Sequence, residues 1–596
     1  MAQHQDSTQR NLPYQDSTLP VEKRVSDLLS RMTLEDKAGM MFHSMIGYDD
    51  PTVANEQFAL PAMDSLITTK KINHFNVIGN PGSTRQMVEW YNKVQEIAGA
   101  NELAIPVSIS SDPRHSFTDN PLSALMTAEF SQWPEPLGMS AINSEDVMEE
   151  FGDIARQEYN AVGIRVALHP QIDIATDPRW GRTNGTFGED PKRVTKLGVA
   201  YVKGFQGENF GEESVSTMVK HFPGGGPQKD GEDPHFSYGK EQIYPGNNFD
   251  EHLEPFKAVF KVGARQVMPY YGMPVGTKYE EVGFGFNKGI ITDLLRKQLG
   301  YDGIVCTDWG LFTDSDIMGK PLPARAWGVE KLDRSARMLK SLEAGADQFG
   351  GEHCPEVLVE LVKSGKTSEA RLDESVARLL KEKFLLGLFD DKRQLDVTAA
   401  EKIVGNDKFK AAGLEAQKAS LTLLTNKGSN GEAILPLQDG IKVYLEDIPA
   451  ESLQDYATVV DKPEDADVAI LRQKAPYEPR EGFLESMFHA GSIDFSDDVA
   501  NHINEIAAKV PTIVDLYLDR PAILTKFADN VNAIICNYGA SDEAIFEVMF
   551  GKAEPKGSLP FDMPSSMQAV KANKADVPFD TKDPLFQHGH GLGYKN

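Results

Sequence analysis

From about residue 22 to about 390 the chain repeats one unit, a short apolar run followed by a longer amphipathic stretch. The runs are HFNVIG (74–79), IPVSISSD (105–112), RVALHPQIDI (165–174), VSTMVKHF (215–222), ARQVMPYY (264–271) and GIVCTDWG (303–310). Helix-like segments such as SEDVMEEFGDIARQEYNAVG (144–163) lie between them, and LDESVARLLKEKFLLGLF (372–389) ends the series. Strand-then-helix repetition implies a parallel α/β architecture, because each crossover returns the chain to the same end of the sheet. The number of units and the length favour a (β/α)8 TIM-type barrel over one open sheet.

The pattern loosens at DDKRQLDVTAAEKIVGNDKFKAAG (390–413) and then resumes in LTLLTN (421–426), IKVYLED (441–447), VAILR (468–472), TIVDLYL (512–518) and AIICNY (533–538). Five strands with intervening helices predict an α/β sandwich of roughly 180 residues. The expected division is a barrel over 1–392, a linker over 393–415 and a sandwich over 416–596. At 596 residues, more than one core is required in any case.

A formal net charge of -28 argues against a nucleic acid partner, since phosphate binding needs a basic surface. No run approaches the ~20 apolar residues of a membrane helix. The first thirty residues are polar and lack an apolar signal core. The compartment stays open, cytoplasmic as written or periplasmic or secreted after removal of a leader. Cys306, Cys354 and Cys536 are too few and too widely spaced for a disulfide framework or a zinc pair. Cys306, inside GIVCTD, reads as a buried inert thiol.

Polar residues gather where the apolar runs end: Asp112, His115, Asp177, Arg179, Arg182, Lys220, His221, Tyr271, Asp308 and Trp309. The strand C-termini of a parallel barrel converge on one face, so these groups can share a pocket. Each motif has two readings. Asp308 in GIVCTDWG is either a carboxylate presented at the barrel mouth or a helix cap. KHFPGGG (220–226) is a turn or a weak anion cradle, without the Lys-Ser/Thr ending of a P-loop. In DPRWGR (177–182) the arginines can fork onto vicinal hydroxyls beside an apolar Trp face, or one can simply pin the loop to Asp177.

Taken together and in order, these motifs resemble glycoside hydrolase family 3. The likeness begins at VEKRVSDLLSRMTLEDKAGMM (21–41) and runs through IPVSISSDPRH, DPRWGRTNGTFGEDP, VKHFPGG, EPFKAVFKVGARQVMPYY and YDGIVCTDWG. It closes with KGSLPFDMP (556–564) and PLFQHGHGLGY (584–594). The resemblance implies a retaining exo-β-glycosidase of the β-glucosidase type, with two domains and no fibronectin-like third. It implies Asp308 as the nucleophile and Asp112, Arg182, Lys220, His221, Tyr271 and Trp309 around the sugar. Two departures stand out: DPRHS replaces the more usual DAVHG at Asp112, and Gly185 stands where relatives often have Glu.

Retaining chemistry needs a second carboxylate, ordinarily about 5–5.5 Å from the first. In two-domain relatives a sandwich loop supplies it. The loop after VAILR, QKAPYEPREGFLES (473–486), offers Glu478, Glu481 and Glu485. PYEPR matches the plant-like "PYTE", which favours Glu478, while REGF matches the bacterial "SEGF", which favours Glu481. Glu485 reads as a helix or surface residue. The chemistry requires no metal or organic cofactor, and the HGH at 588–590 matches the family's closing turn rather than a zinc site. The expected partner is a small neutral carbohydrate, glucose first and xylose second, and a homodimer is compatible with the size and family. Loops 44–65 and 226–245 are expected to set linkage preference. The rivals are a β-N-acetylglucosaminidase or β-xylosidase of the same family, the former using His235 of GEDPH (231–235), and a non-catalytic sugar-binding protein.

Overall fold

Eight parallel strands form the first sheet: β1 Phe42–Gly47, β2 His74–Ile78, β3 Ser108–Ser111, β4 Ile164–Ala167, β5 Ser216–Phe222, β6 Gln266–Pro269, β7 Ile304–Val305 and β8 Phe349–Gly350. The computed structural model describes residues 12–56, 60–117, 125–317, 320–390, 393–428, 431–482 and 484–594. Strands β1 to β7 pair in chain order and β8 pairs with β1. A parallel bridge between Cys306 and Gln348 joins the remaining edges, with Thr307 N donating to Gln348 O at 2.9 Å. The sheet is therefore a closed barrel of the expected class. Six of its strands coincide with the apolar runs, and every residue of β5 is buried, as expected for a strand covered on both faces.

Strands β1 and β8 escape a hydrophobicity reading for identifiable reasons. The interior of the barrel is partly polar: His43 Nε2 meets Ser110 Oγ at 2.6 Å and His43 Nδ1 meets Gln348 Oε1 at 3.2 Å. His43 and Ser44 interrupt the apolar pattern of β1. Strand β8 is only two residues long. An apolar plug of Val166, Leu168, Met218, Met268 and Cys306 lies under Trp309, and burial raises the Cys306 thiol well above its ordinary pKa.

The helices start where the sequence supplies caps. Ser144 accepts from Val147 N ahead of Glu145–Ala161, and Asp190 with Pro191 opens Pro191–Gln206. These two helices touch through glycines, since a Cβ on Gly152 would lie 2.9 Å from the Gly204 Cα.

The second sheet has the order β9-β14-β13-β12-β10-β11, with β9 Thr422–Asn426, β10 Lys442–Glu446, β11 Thr458–Val460, β12 Val468–Lys474, β13 Thr512–Tyr517 and β14 Ala533–Asn537. Only β9 runs antiparallel to its neighbour, β14. Ala469 and Leu471 of β12 face one core cluster while Val468 and Ile470 face the other, so both sides of the sheet are covered. Edge strand β11 was not singled out in the sequence.

Residues 393–415, expected as a linker, are largely helical, with Val397–Ile403 and Asp407–Ser420 capped by Asp396 and Asn406. They dock on the barrel: Gly405 N donates to Glu158 Oε1 at 2.7 Å, and Ala400, Val404, Phe409 and Ala416 join its core. We infer that the barrel unit extends to about residue 416; the expected limit at 392 falls on residues 391–392, outside those described. The closing motifs form the seam between the units, with Leu559 N donating to His590 O at 2.9 Å and Glu189 N to Pro560 O at 3.1 Å.

Candidate active site

Strand ends β3 to β7 build a floor of interlocked polar groups. Lys220 Nζ, at the end of β5, donates to Asp112 Oδ1 just beyond β3 at 2.9 Å. Beside it His221 bridges two partners. Arg182 Nη1 lies 3.0 Å from His221 Nε2, and a guanidinium can only donate, so Nε2 carries the lone pair. The proton is then on Nδ1, which donates to Asp173 Oδ2 at 2.8 Å. Burial, then the Arg182 charge, holds the imidazole well below its ordinary pKa, which keeps it neutral. Burial pushes Asp173 up to about 6 against the N–H groups of Gly225 and His221 that donate to it. The cradle of KHFPGGG is thus filled by a carboxylate of the protein itself.

Asp308 follows β7 and is buried. Its Oδ1 accepts from Trp309 N at 2.7 Å, while Oδ2 has no hydrogen-bond partner and stands 3.9 Å from His221 Nε2. Tyr271 OH donates to Trp309 O at 2.7 Å. The Trp309 ring lies on the end of β8, where a Cβ at Gly350 or Gly351 would come within 2.6 and 2.8 Å of it. Trp309 Nε1 and Arg182 Nε are also buried without partners. Burial opposes the charge on Arg182, but Tyr270 and the carboxylates of Asp233, Asp308 and Asp173 outweigh it and hold the guanidinium pKa above its ordinary value.

A second carboxylate organises the rim. Asp233 accepts from Trp180 Nε1 at 3.0 Å, Tyr270 OH at 2.9 Å and His235 Nδ1 at 2.6 Å. It thereby ties the DPRWGR loop, the end of β6 and the loop 226–245 into one piece. The His235 ring then packs on Tyr271 at 4.6 Å and on Phe488 of the second unit at 5.0 Å.

The segment after β12 closes the opposite side. Arg520, 1% exposed, donates to the carbonyls of Pro476, Ala490, Gly491 and Ser492 and, across the seam, to Arg179 O at 2.8 Å. Arg480 forks onto Glu232 at 2.7 and 2.8 Å and lies over the Tyr238 ring at 5.1 Å. Glu478 is exposed, its backbone N held by Ala490 O at 2.9 Å and its carboxylate close against Gly491. The Arg520 charge feels Glu478 together with Asp519 and Asp177, which puts Glu478 on the DPRWGR side of the loop. Glu481 is exposed, and Glu485 lies against Gly482 on the side of Tyr238.

Not every strand-end residue joins this cluster. His115 turns outward, bonded to Glu158 at 2.9 Å among Phe130, Phe151 and Tyr159. Asp177 is taken up by Arg179, with Nη2 to Oδ2 at 2.7 Å, so the loop-pinning reading holds for that arginine and leaves Arg182 for the pocket. Gly185 lines a small cavity with Asn184 and Phe187 behind Arg182 and Lys220. His588 and His590 point to separate places: His588 Nε2 stands 3.6 Å from Asp190 Oδ2 without a hydrogen bond, and His590 Nε2 meets Leu424 O at 2.8 Å.

The N-terminal domain of glycosyl hydrolase family 3 matches residues 45–381, and its C-terminal domain matches residues 348–594. The chain belongs to glycosyl hydrolase family 3. Among its family 3 relatives, Beta-glucosidase C of Emericella nidulans is 50% identical over 592 residues, covering 98% of this chain and 94% of that protein. The periplasmic β-glucosidase/β-xylosidase of Dickeya chrysanthemi is 42% identical over 602 residues, covering 97% of this chain and 91% of its own. A β-glucosidase structure from Erythrobacter marinus superimposes with a TM-score of 0.78 at 20% identity, over 98% of this chain and 84% of that one. That last likeness concerns the fold alone.

Three groups that build this site were absent from the sequence reading: Asp173, Asp233 and Arg520. Asp173 had a visible signal, a carboxylate inside the apolar run RVALHPQIDI, where burial demands a partner. Arg520 follows TIVDLYL in the same way.

Proposed function

We propose that this family 3 hydrolase is a retaining exo-β-glucosidase that releases terminal β-D-glucose by double displacement, with Asp308 as nucleophile and Glu478 as acid/base. The observation that carries the reading is Asp308 Oδ2: a buried carboxylate oxygen with no hydrogen-bond partner, at the mouth of a barrel, among Lys220, His221 and Arg182. Buried polar atoms are usually paired, so an open carboxylate oxygen facing these polar groups is free to meet a substrate atom. Trp309 Nε1 and Arg182 Nε are donors in the same condition.

Asp308 attacks the anomeric carbon and forms a glycosyl ester. Glu478 gives its proton to the leaving oxygen and later takes one from the water that cleaves the ester, so the β configuration is retained. Asp112 and Lys220 hold each other in place and present their remaining oxygen and protons to sugar hydroxyls. Neutral His221, aligned by Asp173, offers no proton on Nε2, and Arg182 donates beside it. These contacts accelerate the reaction to the extent that they tighten at the oxocarbenium-like transition state. Glu478 is exposed as it stands, and a sugar entering between the units would bury it, favouring the protonated form that the first step needs.

The test is an activity panel of p-nitrophenyl β-glucoside, β-xyloside, β-N-acetylglucosaminide and α-glucoside on wild type, Asp308→Asn, Glu478→Gln and Glu481→Gln, with azide added. Cleavage of the β-glucoside, loss of it in Asp308→Asn, and β-glucosyl azide from Glu478→Gln alone is the expected result. Azide product from Glu481→Gln instead would move the acid/base to that residue. Glucose binding without any turnover would favour the non-catalytic sugar-binding reading. The β-xyloside arm addresses a second reading supported by the Dickeya chrysanthemi relative, named for both activities. The β-N-acetylglucosaminide arm addresses the paired Asp233 and His235.

A further inference from the structure

Arg325 is only 7% exposed, its Nε is buried without a partner, and among the described residues no carboxylate is paired with it. A short hairpin of Ser315–Ile317 and Lys320–Leu322 carries the chain away from Trp309 and back, so that Arg325 N donates to Gly310 O at 3.0 Å, two residues past Asp308. The guanidinium stands over the Tyr271 ring at 5.8 Å. Room for it depends on Gly310, where φ is 70° and a Cβ would lie 2.9 Å from Arg325 Nη1. Holding a guanidinium N–H out of water with no acceptor is costly. The position makes sense when its partner arrives with the substrate.

The side of the site on which Arg325 lies indicates which part of the substrate that is. Asp112, Lys220, His221 and Arg182 crowd the flank of Asp308 built by β3 to β5. Arg325 lies beside Tyr271, at the ends of β6 and β7, and its charge, like that of Arg182, reaches His235, where the second unit's Phe488 packs at 5.0 Å. With the glycone gripped on the β3 to β5 flank and its anomeric carbon at Asp308, the leaving group extends over the ends of β6 and β7. We propose that Arg325 binds the hydroxyls of a sugar leaving group and so favours glycosyl over aryl aglycones, a role that rests on the glycosidase reading above.

The experiment compares kcat/KM for cellobiose and laminaribiose with that for phenyl β-glucoside, whose leaving group has no hydroxyl acceptor beyond the glycosidic oxygen. In Arg325→Met the disaccharide values are expected to fall about tenfold or more beyond any fall on the phenyl glucoside, the loss of a charged hydrogen bond. Inhibition by glucose, which reports the glycone side, should stay at the wild-type level. Arg325→Lys keeps the charge without the fork; it should lose less, and it carries the same ratio test if the Met variant does not fold. An equal loss on all three substrates, or none, would overturn the assignment. Wild type that cleaves neither kind of substrate would instead sink the glycosidase reading, and this inference with it.

Discussion

The floor around Asp308 and the loop 475–491 facing it are supported in opposite ways. On the floor, Asp112, Asp173, Lys220, His221 and Arg182 project from strand ends of a closed barrel and bond to one another, all but Asp112 buried. The loop carries Glu478 on an exposed turn, and what holds it is Arg520 beneath and the Arg480–Glu232 fork across the seam. Dipoles and charges fixed before substrate arrives are where much of catalysis originates, so the half that holds the proposed nucleophile is preorganised by one unit alone. The half that holds the proposed acid/base depends on how two units dock. The barrel thus provides electrostatics that a local mutation destroys, whereas the loop provides a position that a remote mutation can shift.

The sharpest break in that comparison is Asp308→Asn. It should lower kcat on p-nitrophenyl β-glucoside by roughly 10⁴-fold or more while leaving the melting temperature close to wild type, because Oδ2 accepts no hydrogen bond in the folded protein. A large loss of stability instead would make Asp308 a structural residue. Next comes Glu478→Gln, expected to lose about 10²–10⁴-fold, with azide restoring turnover of activated substrates and Glu481→Gln near wild type.

Smaller effects follow from the clamp. As a partly exposed ion pair, Arg480–Glu232 contributes no more than about 1 kcal/mol of stability, but a misplacement of about 1 Å at an acid/base can cost ~10²-fold in rate. Arg480→Gln and Glu232→Gln should therefore reduce kcat several-fold with little change in melting, and each should add little to the other in the double variant. Losses that simply multiply would mean that the two side chains act separately.

The smallest effect on turnover concerns pH and the seam. Burial pushes Glu189 up to about 8 against the N–H groups of Asp562 and Phe579 that donate to it. The unfolded chain releases this proton near the ordinary glutamate value of 4.5. Between those values the folded state binds more protons, so Glu189 makes stability fall as pH rises across that window, with no further change above it. Thermal melting of Glu189→Gln from pH 5 to 8.5 should give a flatter profile than wild type. Parallel profiles would place the titration elsewhere.

Strand-helix alternation along the chain determined the barrel class, the sheet of the second unit and the strand ends that carry Asp112, Lys220, His221, Tyr271 and Asp308, because burial on both faces leaves an unbroken apolar run and a polar residue where the run stops. The motif order in the sequence placed the family. Only the tertiary structure decided that His115 turns away to Glu158 while Arg182 turns in, that Asp173 fills the glycine-rich cradle, and that residues 393–415 are docked helix. It also brought Asp233, Arg325, Arg480 and Arg520 to the rim. Those outcomes depend on which partner a polar group meets across the fold, and local periodicity carries no record of contacts between residues hundreds of positions apart.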